Sequence, residues 1–405
     1  MKPLKVYLIA GESSGDLLGA RLMRALKKQM GHRVAFYGVG GEGMEREGLT
    51  SLFDIRDLAV MGFFEVVPSI PKILKHLDAI VADIQAVQPD IVMTIDSYSF
   101  SARVHKRLKA AGYTRPHVHC VAPQVWAWKK GRAKQIGQFV DHLFCLLPDE
   151  ARYFEPYGMP TTFIGHPVVE GGADRGNGAA FRRKYGIRPD QTVLCLLPGS
   201  RRNEIKYLLP VFRAAVEELQ AYVPNLYVVI PTVQTVAPRV QEALNGWQIP
   251  HAIVMGETER YDAFAASDVA LAASGTVSIE LAMAGVPHLI AYKVSPLTGM
   301  IARRLLKIRF VNLLNLLSDK EVIPELLQEN CTVDNIVEHL RELLAHPHQD
   351  TRPGLEKLGL GLPESPSDKL ATAVQTLTGA KPKRSLSRSA AGKRPKRTVR
   401  KRSTK

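Results

Sequence analysis

Short, wholly apolar runs alternate with amphipathic, helix-like segments along most of this 405-residue chain. Runs that are apolar throughout are typical of strands buried on both faces, as in a parallel sheet covered by helices. The alternation therefore predicts an α/β fold with parallel strands. The predicted strands are Val6–Ala10, Val34–Tyr37, Ile91–Ile95, His117–Val121, His142–Leu147, Val193–Leu197, Leu226–Ile230, Val269–Ala273 and His288–Tyr292.

A glycine-rich segment from Glu170 to Ala180 separates the fifth predicted strand from the sixth and contains no large apolar residue. Such a composition is typical of an interdomain linker. We therefore expect two α/β domains, residues 1–170 and 171–345, with a cleft between them. Ligands of parallel sheets bind beyond the carboxyl ends of the strands, so the loops that follow these strands should carry the chemistry.

The rest of the composition is that of an ordinary globular chain. It is 45% hydrophobic, yet glycine and proline interrupt its apolar stretches before they could span a membrane. The N-terminus enters the first strand without the apolar stretch and cleavage site of a signal peptide. The four cysteines are far apart in sequence, which suggests neither a disulfide framework nor a metal site. We expect a cytoplasmic protein with reduced thiols and no bound metal.

The net charge of +15 is concentrated at the C-terminus. Residues 381–405 hold twelve Lys or Arg residues and no acid, which leaves +3 for the rest of the chain. This segment has no hydrophobic periodicity, so we expect a disordered basic tail. Anionic lipid, nucleic acid and ribosomes are the partners that this charge would attract, and a merely solvated tail is the alternative.

The turn after Val269–Ala273 predicts an anion site. Ser274, Gly275 and Thr276 precede a helix start, so small residues, hydroxyl donors and free backbone N–H groups meet at one point and suit a diphosphate. Glu280 lies about one helical turn further on, where its carboxylate can accept hydrogen bonds from sugar or ribose hydroxyls. Together the turn and Glu280 indicate a binding site for a nucleotide-sugar. An ordinary helix start with a structural glutamate is the alternative.

A second polar turn follows the first predicted strand. It contains Gly11, Ser13, Ser14, Gly15 and Asp16. The glycines permit a close approach of the backbone to a ligand, but their spacing is not that of a dinucleotide fingerprint, and no lysine follows as in a P-loop. The turn predicts one wall of a sugar or phosphate site rather than a nicotinamide enzyme or an ATPase. A purely structural turn is the alternative.

Two charged side chains in these loops are candidates for catalysis. Asp96 comes directly after Ile91–Ile95, where a carboxylate in a cleft that excludes water can act as general base on a sugar hydroxyl. A helix N-cap is the alternative for Asp96. Gly199, Ser200 and Arg201 form another turn between a strand and a helix. There the arginine can bind phosphate oxygens and stabilise the charge of a departing diphosphate without a metal.

Two segments have apolar helical faces with basic residues beside them, which fits a helix that dips into a bilayer surface. The first begins at Phe63 and the second covers residues 300–310. A core-facing helix is the alternative for both. The expected membrane contacts of the first segment are Phe63, Phe64, Val66, Val67, Ile70, Ile73 and Leu74.

In their order along the chain, these motifs resemble the lipid-A-disaccharide synthases, a family of inverting glycosyltransferases with the GT-B fold. The match extends over most of the chain, and so many motifs in the same order argue against chance similarity. The matching segments are AGESSGD at 10–16, LAVMG at 58–62, VWAW at 125–128, FIGHP at 163–167, LLPGSR at 196–201, ASGT at 273–276, NLL at 315–317 and PELLQ at 324–328.

The resemblance implies a reaction. A 2,3-diacylglucosamine unit would pass from UDP-2,3-diacylglucosamine to the 6-hydroxyl of 2,3-diacylglucosamine 1-phosphate, with inversion and without a cofactor. The products would be a β-1,6-linked disaccharide 1-phosphate and UDP. Asp96 would be the base for the acceptor hydroxyl. The diphosphate would be held by Arg201, Ser274, Gly275 and Thr276, with Glu280 and Asn315 completing the donor site.

The resemblance also implies an architecture and a location. Two Rossmann-like domains of the GT-B type would face a central cleft, and residues 346–380 would return to the first domain. The face around residues 64–74 would enter the inner leaflet, which places the enzyme on the cytoplasmic side of the membrane. A homodimer is left open.

One departure from the family pattern concerns the candidate base. The family usually shows Asp-x-Pro-Asp-Phe, whereas this chain has Asp96, Ser97, Tyr98, Ser99 and Phe100. The first carboxylate is kept, but Ser99 replaces the second.

Two other classes of function remain open from the sequence. Another GT-B enzyme, such as a UDP-sugar epimerase or the transferase that makes the lipid-linked peptidoglycan precursor, would share the turn-and-glutamate pattern without the ordered motifs. A nucleic-acid-binding protein would use the basic tail and leave the polar turns unexplained.

Overall fold

The computed structural model describes residues 2–58, 63–126, 131–294 and 309–380, with the side chains of residues 63–70 left out. Within these ranges the strands form two six-stranded, fully parallel sheets. The first sheet contains β1 (Leu4–Ala10), β2 (Val34–Val39), β3 (Ile91–Ile95), β4 (His117–Cys120), β5 (His142–Cys145) and β6 (Thr161–Phe163). The second contains β7 (Thr192–Leu197), β8 (Leu226–Thr232), β9 (His251–Met255), β10 (Val269–Ala272), β11 (His288–Tyr292) and β12 (Glu325–Leu327).

Helices follow the strands and cover both faces of each sheet, as parallel connections require. Those of the first half are α1 (Ser13–Met30), α2 (Glu42–Arg46), α3 (Phe63–Val87), α4 (Tyr98–Ala110) and α5 (Gly131–Ile136). Those of the second half are α6 (Gly178–Lys184), α7 (Arg202–Leu219), α8 (Ala237–Ala243), α9 (Glu257–Ala266), α10 (Val277–Met283), α11 (Leu313–Ser318), α12 (Val333–Ala345), α13 (Arg352–Lys357) and α14 (Pro366–Thr378).

Each sheet has one point where the strand order reverses. The first sheet runs β2-β1-β3-β4-β5-β6, so the reversal lies between β1 and β3. The second runs β12-β11-β10-β7-β8-β9, so the reversal lies between β7 and β10. At such a point the loops after the two strands diverge and open a crevice, which is where ligands of open α/β sheets bind.

The sequence pattern predicted nine strands close to their observed positions, but it missed three. Thr161–Phe163, His251–Met255 and Glu325–Leu327 are short or only partly buried. All three lie at the edge of a sheet. An edge strand is covered less completely than a central one, so it does not need a continuous apolar run.

The last described helix lies against the first half of the chain. Leu370, Ala371 and Val374 are fully buried and share a core cluster with Leu22 and Leu26 of α1. The first sheet is therefore covered on this side by residues from the end of the chain. The domain bounds at residues 170, 345 and 380 stay predictions.

Candidate active site

The second sheet brings two predicted site loops together. β7 and β10 are neighbours, with Leu197 opposite Ala272. The ladder continues one step further, where the Ala273 backbone N–H donates to the Leu197 carbonyl at 2.8 Å. The turn at 199–201 and the turn at 274–276 therefore leave the same edge side by side, at the point of strand reversal.

Glu204, for which the sequence predicted no role, holds the first of these turns in place. Its Oε2 accepts hydrogen bonds from the backbone N–H groups of Ser200 at 2.9 Å and Arg201 at 3.1 Å. Its Oε1 pairs with Arg201 Nη1 at 3.3 Å. The available signal was a glutamate three residues after a helix N-cap, which is the spacing of a capping box.

Gly199 is required at this turn for two reasons. Its φ of 110° lies in a region that other residues avoid, and a Cβ there would lie 2.4 Å from Glu204 Oε2. With the turn held in this way, the Arg201 side chain stays 59% exposed. A guanidinium that is oriented through Nη1 by Glu204 and stays largely exposed is suited to binding phosphate oxygens.

The second turn is open to solvent. Gly275 and Thr276 are exposed, Ser274 is half-buried, and α10 begins directly afterwards. Apart from the two chain neighbours, no described residue has a heavy atom within 4 Å of the position that a Cβ of Gly275 would occupy. Small side chains, open space and a helix start leave backbone N–H groups accessible to an anion.

Glu280 lies on α10, one turn beyond these groups, and is 8% exposed. Its Oε1 accepts hydrogen bonds from Arg260 Nη2 at 2.9 Å and from the Tyr261 hydroxyl at 3.1 Å. Burial raises the pKa of the carboxyl, although the neighbouring Arg260 opposes that rise. The carboxylate is thus fixed through one oxygen.

Asp96 occupies the corresponding place in the first sheet, where β1 and β3 diverge. Its Oδ2 accepts a hydrogen bond from the Ser14 hydroxyl at 3.1 Å, and its Oδ1 accepts one from the Ser97 backbone N–H at 2.7 Å. Ser97 also fits closely against the first turn, because a Cβ on Gly11 would lie 2.5 Å from Ser97 Cβ. The two predicted loops of this domain are therefore in contact.

The backbone around Asp96 is strained. Asp96 and Ser97 have φ angles of 58° and 44°, and Val121, at the end of the neighbouring β4, has 77°. A β-branched residue in this region is a marked outlier. Strain of this kind persists only where the surrounding structure enforces it, and it clusters at functional sites.

A buried polar cluster beneath Asp96 was not anticipated from the sequence. Thr94 Oγ1 lies 2.7 Å from His119 Nδ1 and 2.8 Å from His105 Nε2. All three side chains are almost fully buried. Burial lowers the pKa of His119 to about 4, so the ring stays neutral at physiological pH. The histidines therefore add no positive charge under the candidate base.

The helix after the Gly11 turn contacts a helix of the second half of the chain. Arg21, on the helix that follows the Gly11 turn, lies 3.7 Å from Glu257 of α9 through its Nη2. Its Nη1 donates to the Pro167 carbonyl. Helix α1 thus contacts α9, the helix whose Arg260 and Tyr261 bond Glu280.

Comparison with known proteins identifies the family. The family model described as lipid-A-disaccharide synthetase matches residues 6–357. A lipid-A-disaccharide synthase of Paramagnetospirillum magneticum is 50% identical over 377 residues, covering 91% of this chain and 96% of the relative. That of Rhodospirillum centenum is 48% identical over 379 residues, covering 92% and 94%. The chain belongs to the lipid-A-disaccharide synthase family.

Members of the lipid-A-disaccharide synthase family are glycosyltransferases of lipid A biosynthesis, and the predictions of family, enzyme class and function are confirmed at this level. Solved structures with the same fold include a UDP-GlcNAc 2-epimerase from Neisseria meningitidis bound to UDP-GlcNAc, with a TM-score of 0.62 at 12% identity over 92% of this chain and all of that one. The glycotransferase of kitacinnamycin has a TM-score of 0.60 at 14% identity, with coverage of 93% and 100%. The predicted GT-B fold is confirmed.

In this member of the lipid-A-disaccharide synthase family, two side chains that were predicted to contact a ligand form hydrogen bonds within the protein. The carboxylate of Asp16 accepts hydrogen bonds from the backbone N–H groups of Gly41, Gly43 and Met44 at 2.7–3.0 Å. Asn315 is fully buried, and both ends of its amide bond residues of the 322–325 segment. Both side chains organise the loops around the site, and direct contact with a substrate stays a prediction for them.

The remaining glycine and serines of the turn after β1 divide into two groups. Ser13 and Ser14 are exposed at the start of α1. Gly15 is buried against β3, since its Cβ would lie 3.1 Å from the Ile95 carbonyl oxygen. The Ser13 hydroxyl is therefore accessible to a ligand, the Ser14 hydroxyl already donates to Asp96, and Gly15 permits close packing of helix and strand.

A buried carboxyl lies in the loop after β5. Glu150 is 4% exposed and accepts hydrogen bonds from the backbone N–H groups of Leu146 and Leu147, both at 3.1 Å. Burial raises the pKa of Glu150 to about 7. This group therefore titrates near neutral pH.

The predicted membrane face falls mostly outside the described side chains. Phe63, Phe64, Val66, Val67 and Ile70 lie on α3, but their side chains are not described. Of the other two, Ile73 packs against the core of the first sheet, while Leu74 is 43% exposed. The second predicted segment, residues 300–310, lies outside the described residues except at 309 and 310. Among the described helices none has both the length and the apolar character needed to cross a bilayer.

The four cysteines are buried and unpaired. In the described parts of the chain, no cluster of three or more His, Cys, Asp or Glu side chains has the arrangement of a metal site.

Proposed function

We propose that this glycosyltransferase transfers 2,3-diacylglucosamine from UDP-2,3-diacylglucosamine to the 6-hydroxyl of 2,3-diacylglucosamine 1-phosphate. The observation that carries the proposal is that a carboxylate and a set of anion-binding groups lie at the strand reversals of the two sheets. Asp96 lies at the strand reversal of the first sheet, and Arg201 and Gly275 lie at that of the second. One site holds a base and the other holds anion-binding groups, as a nucleotide-sugar transferase needs.

The reaction is a single displacement with inversion. The 6-hydroxyl oxygen of the acceptor forms a bond to the anomeric carbon of the donor, while the bond from that carbon to the UDP oxygen breaks. Asp96 takes the hydroxyl proton, and its Oδ2 is kept in place by Ser14. The electron pair of the broken bond leaves on UDP as a β-1,6-linked disaccharide 1-phosphate forms.

Stabilisation of the leaving group falls to the second domain. Arg201 and the backbone N–H groups around Ser274, Gly275 and Thr276 would bind the diphosphate as its charge increases. Because Glu204 already holds the Arg201 turn, little reorganisation is needed when the charge develops. Glu280 would bind hydroxyls of the donor through Oε2, since its Oε1 is occupied.

The helix α3 would hold the enzyme on the inner face of the cytoplasmic membrane, so that the acyl chains stay in lipid while the sugars enter the cleft. Support comes from Leu74, which is 43% exposed, and from Leu52, which is 39% exposed. Leu52 adjoins Phe53, whose ring stacks on His76 of α3 with centroids 3.9 Å apart. Exposed leucines on and beside one helix are suited to insertion at a bilayer surface.

The direct test is a reaction with both lipid substrates in detergent, in which UDP and the disaccharide 1-phosphate are measured by mass spectrometry. Wild-type protein should form both products in equal amounts. Asp96→Ala and Arg201→Ala should lose them, whereas Arg202→Ala, which removes an exposed arginine from the next position, should stay active. Release of UDP without disaccharide would reject the proposed acceptor. Donor epimerisation would instead favour the epimerase alternative.

A further inference from the structure

Glu280 belongs to a chain of contacts that the proposed chemistry does not use directly. Two donors from α9 meet its Oε1, namely Arg260 Nη2 at 2.9 Å and the Tyr261 hydroxyl at 3.1 Å. The carboxylate is 8% exposed. With one oxygen saturated in this way, the plane and direction of the other oxygen are set by α9.

The Tyr261 hydroxyl has two acceptors but only one hydrogen. It lies 3.0 Å from Glu257 Oε1 and 3.1 Å from Glu280 Oε1. A phenol donates a single hydrogen bond, so at any moment it serves one of the two carboxylates. Any group that satisfies Glu257 by other means favours donation to Glu280.

Arg21 of the first domain is such a group. Its Nη2 lies 3.7 Å from Glu257 Oε1, the same oxygen that Tyr261 approaches. The arginine side chain is only 12% exposed, and its Nη1 donates to the Pro167 carbonyl, which fixes its position. The two residues belong to helices of different halves of the chain, so the contact requires α1 and α9 to be close together.

We propose that Arg21 is a positioning residue that couples closure of the cleft to the orientation of Glu280. When the domains approach, Arg21 neutralises Glu257, the Tyr261 hydroxyl donates to Glu280, and Glu280 Oε2 is directed at the donor. When the domains separate, Glu257 takes the Tyr261 hydrogen and Glu280 loses one of its two fixed donors. The inference rests on the proposed function, in which Glu280 binds the UDP-sugar.

The test is UDP binding by titration calorimetry to the full chain, in four proteins that form a double-mutant cycle. These are wild type, Arg21→Gln, Tyr261→Phe and the double variant. Each single change should weaken UDP binding about threefold to tenfold, less than the loss of a direct hydrogen bond to a charged group, because both changes act on the ligand only through Glu280. The double variant should be no weaker than Tyr261→Phe alone, because Arg21 acts through the Tyr261 hydroxyl.

Two matched controls separate coupling from general damage. Arg24→Gln removes an arginine from the same helix, but Arg24 pairs with Glu47 inside the first domain. Tyr185→Phe removes a hydroxyl that bonds Glu259, on α9 but apart from Glu280. Both should bind UDP as wild type does, and Arg21→Lys should recover part of the loss because it restores the charge.

The outcomes distinguish the inference from the proposed function. Wild-type protein that fails to bind UDP would contradict the proposed function itself. If wild-type protein binds UDP and Arg21→Gln binds it with unchanged affinity, the coupling is overturned. The coupling is also overturned if the losses of the two single variants add in the double variant. In both cases the proposed function still stands. Thermal unfolding of every variant identifies any loss that comes from misfolding.

Discussion

Replacement of Gly275 by alanine tests whether glycine is needed at this position for ligand binding or for folding. The φ of Gly275 lies outside the left-handed region, and in the part of the chain that the structure describes, chain neighbours aside, no heavy atom lies within 4 Å of the position of the new Cβ. The described residues of the unliganded protein therefore do not require glycine here. The residue has a purpose only if another molecule approaches the backbone closely.

The magnitudes follow from this geometry. The free energy of unfolding should stay level or rise by up to about 1 kcal/mol, because alanine restricts the unfolded chain more than glycine does. A phosphate oxygen bonded to a nearby backbone N–H would lie within van der Waals reach of the added methyl group. Loss of one such charge-assisted bond costs about 1.5–3 kcal/mol, which weakens UDP binding roughly tenfold to a hundredfold.

The assay combines thermal unfolding with UDP titration on the same samples. Gly137→Ala is the matched control, since Gly137 is exposed and a Cβ there would lie 3.8 Å from Met159 Sδ and 3.9 Å from the Tyr157 carbonyl oxygen, so it should change neither quantity. Gly199→Ala is the opposite control and should destabilise the fold, since its Cβ would displace Glu204. Unchanged UDP affinity in a stable Gly275→Ala protein would refute the placement of the diphosphate at this turn.

Four further outcomes are expected. Asp96→Asn should lower kcat about a hundredfold to ten-thousandfold with little change in UDP affinity, as measured by initial rates, because the amide cannot accept the proton. Glu204→Gln should weaken UDP binding by calorimetry, because it loosens the Arg201 turn, with far-UV circular dichroism unchanged. The raised pKa of Glu150 means that the folded protein holds a proton that the unfolded chain releases near pH 4.5. Glu150 should therefore contribute its whole stabilisation to the free energy of unfolding below pH 4.5 and lose it as the pH rises to about 7. This pH dependence should be absent in Glu150→Gln. Removal of residues 381–405 should reduce binding to anionic vesicles at low salt and leave turnover in detergent intact, as checked by co-sedimentation.

Central strands and the loops after them could be predicted because their physical requirements appear directly in the residue pattern. A strand buried on both faces must be apolar throughout, and Ile91–Ile95 was predicted to the residue. The edge strand Glu325–Leu327 carries no such requirement, and it left no apolar run in the sequence.

The sequence predicted the types of the site residues more readily than the directions in which their side chains point. Asp16 and Asn315 were polar residues in the right loops, yet their side chains bond the protein's own backbone. Those partners lie elsewhere along the chain, so local sequence does not reveal them. Glu204 shows the reverse case, because its importance comes from a hydrogen bond to Ser200 that only the folded turn makes visible.

The packing of α14 on α1 determines the order in which the protein can be completed during synthesis. Leu370, Ala371 and Val374 belong to the core of the sheet that contains β1. A ribosome makes the first domain first, but that domain lacks part of its interior until almost the whole chain has emerged. The domain that is synthesised first is therefore the last to be finished, and the nascent chain must carry an exposed apolar face on α1 throughout the synthesis of the second domain.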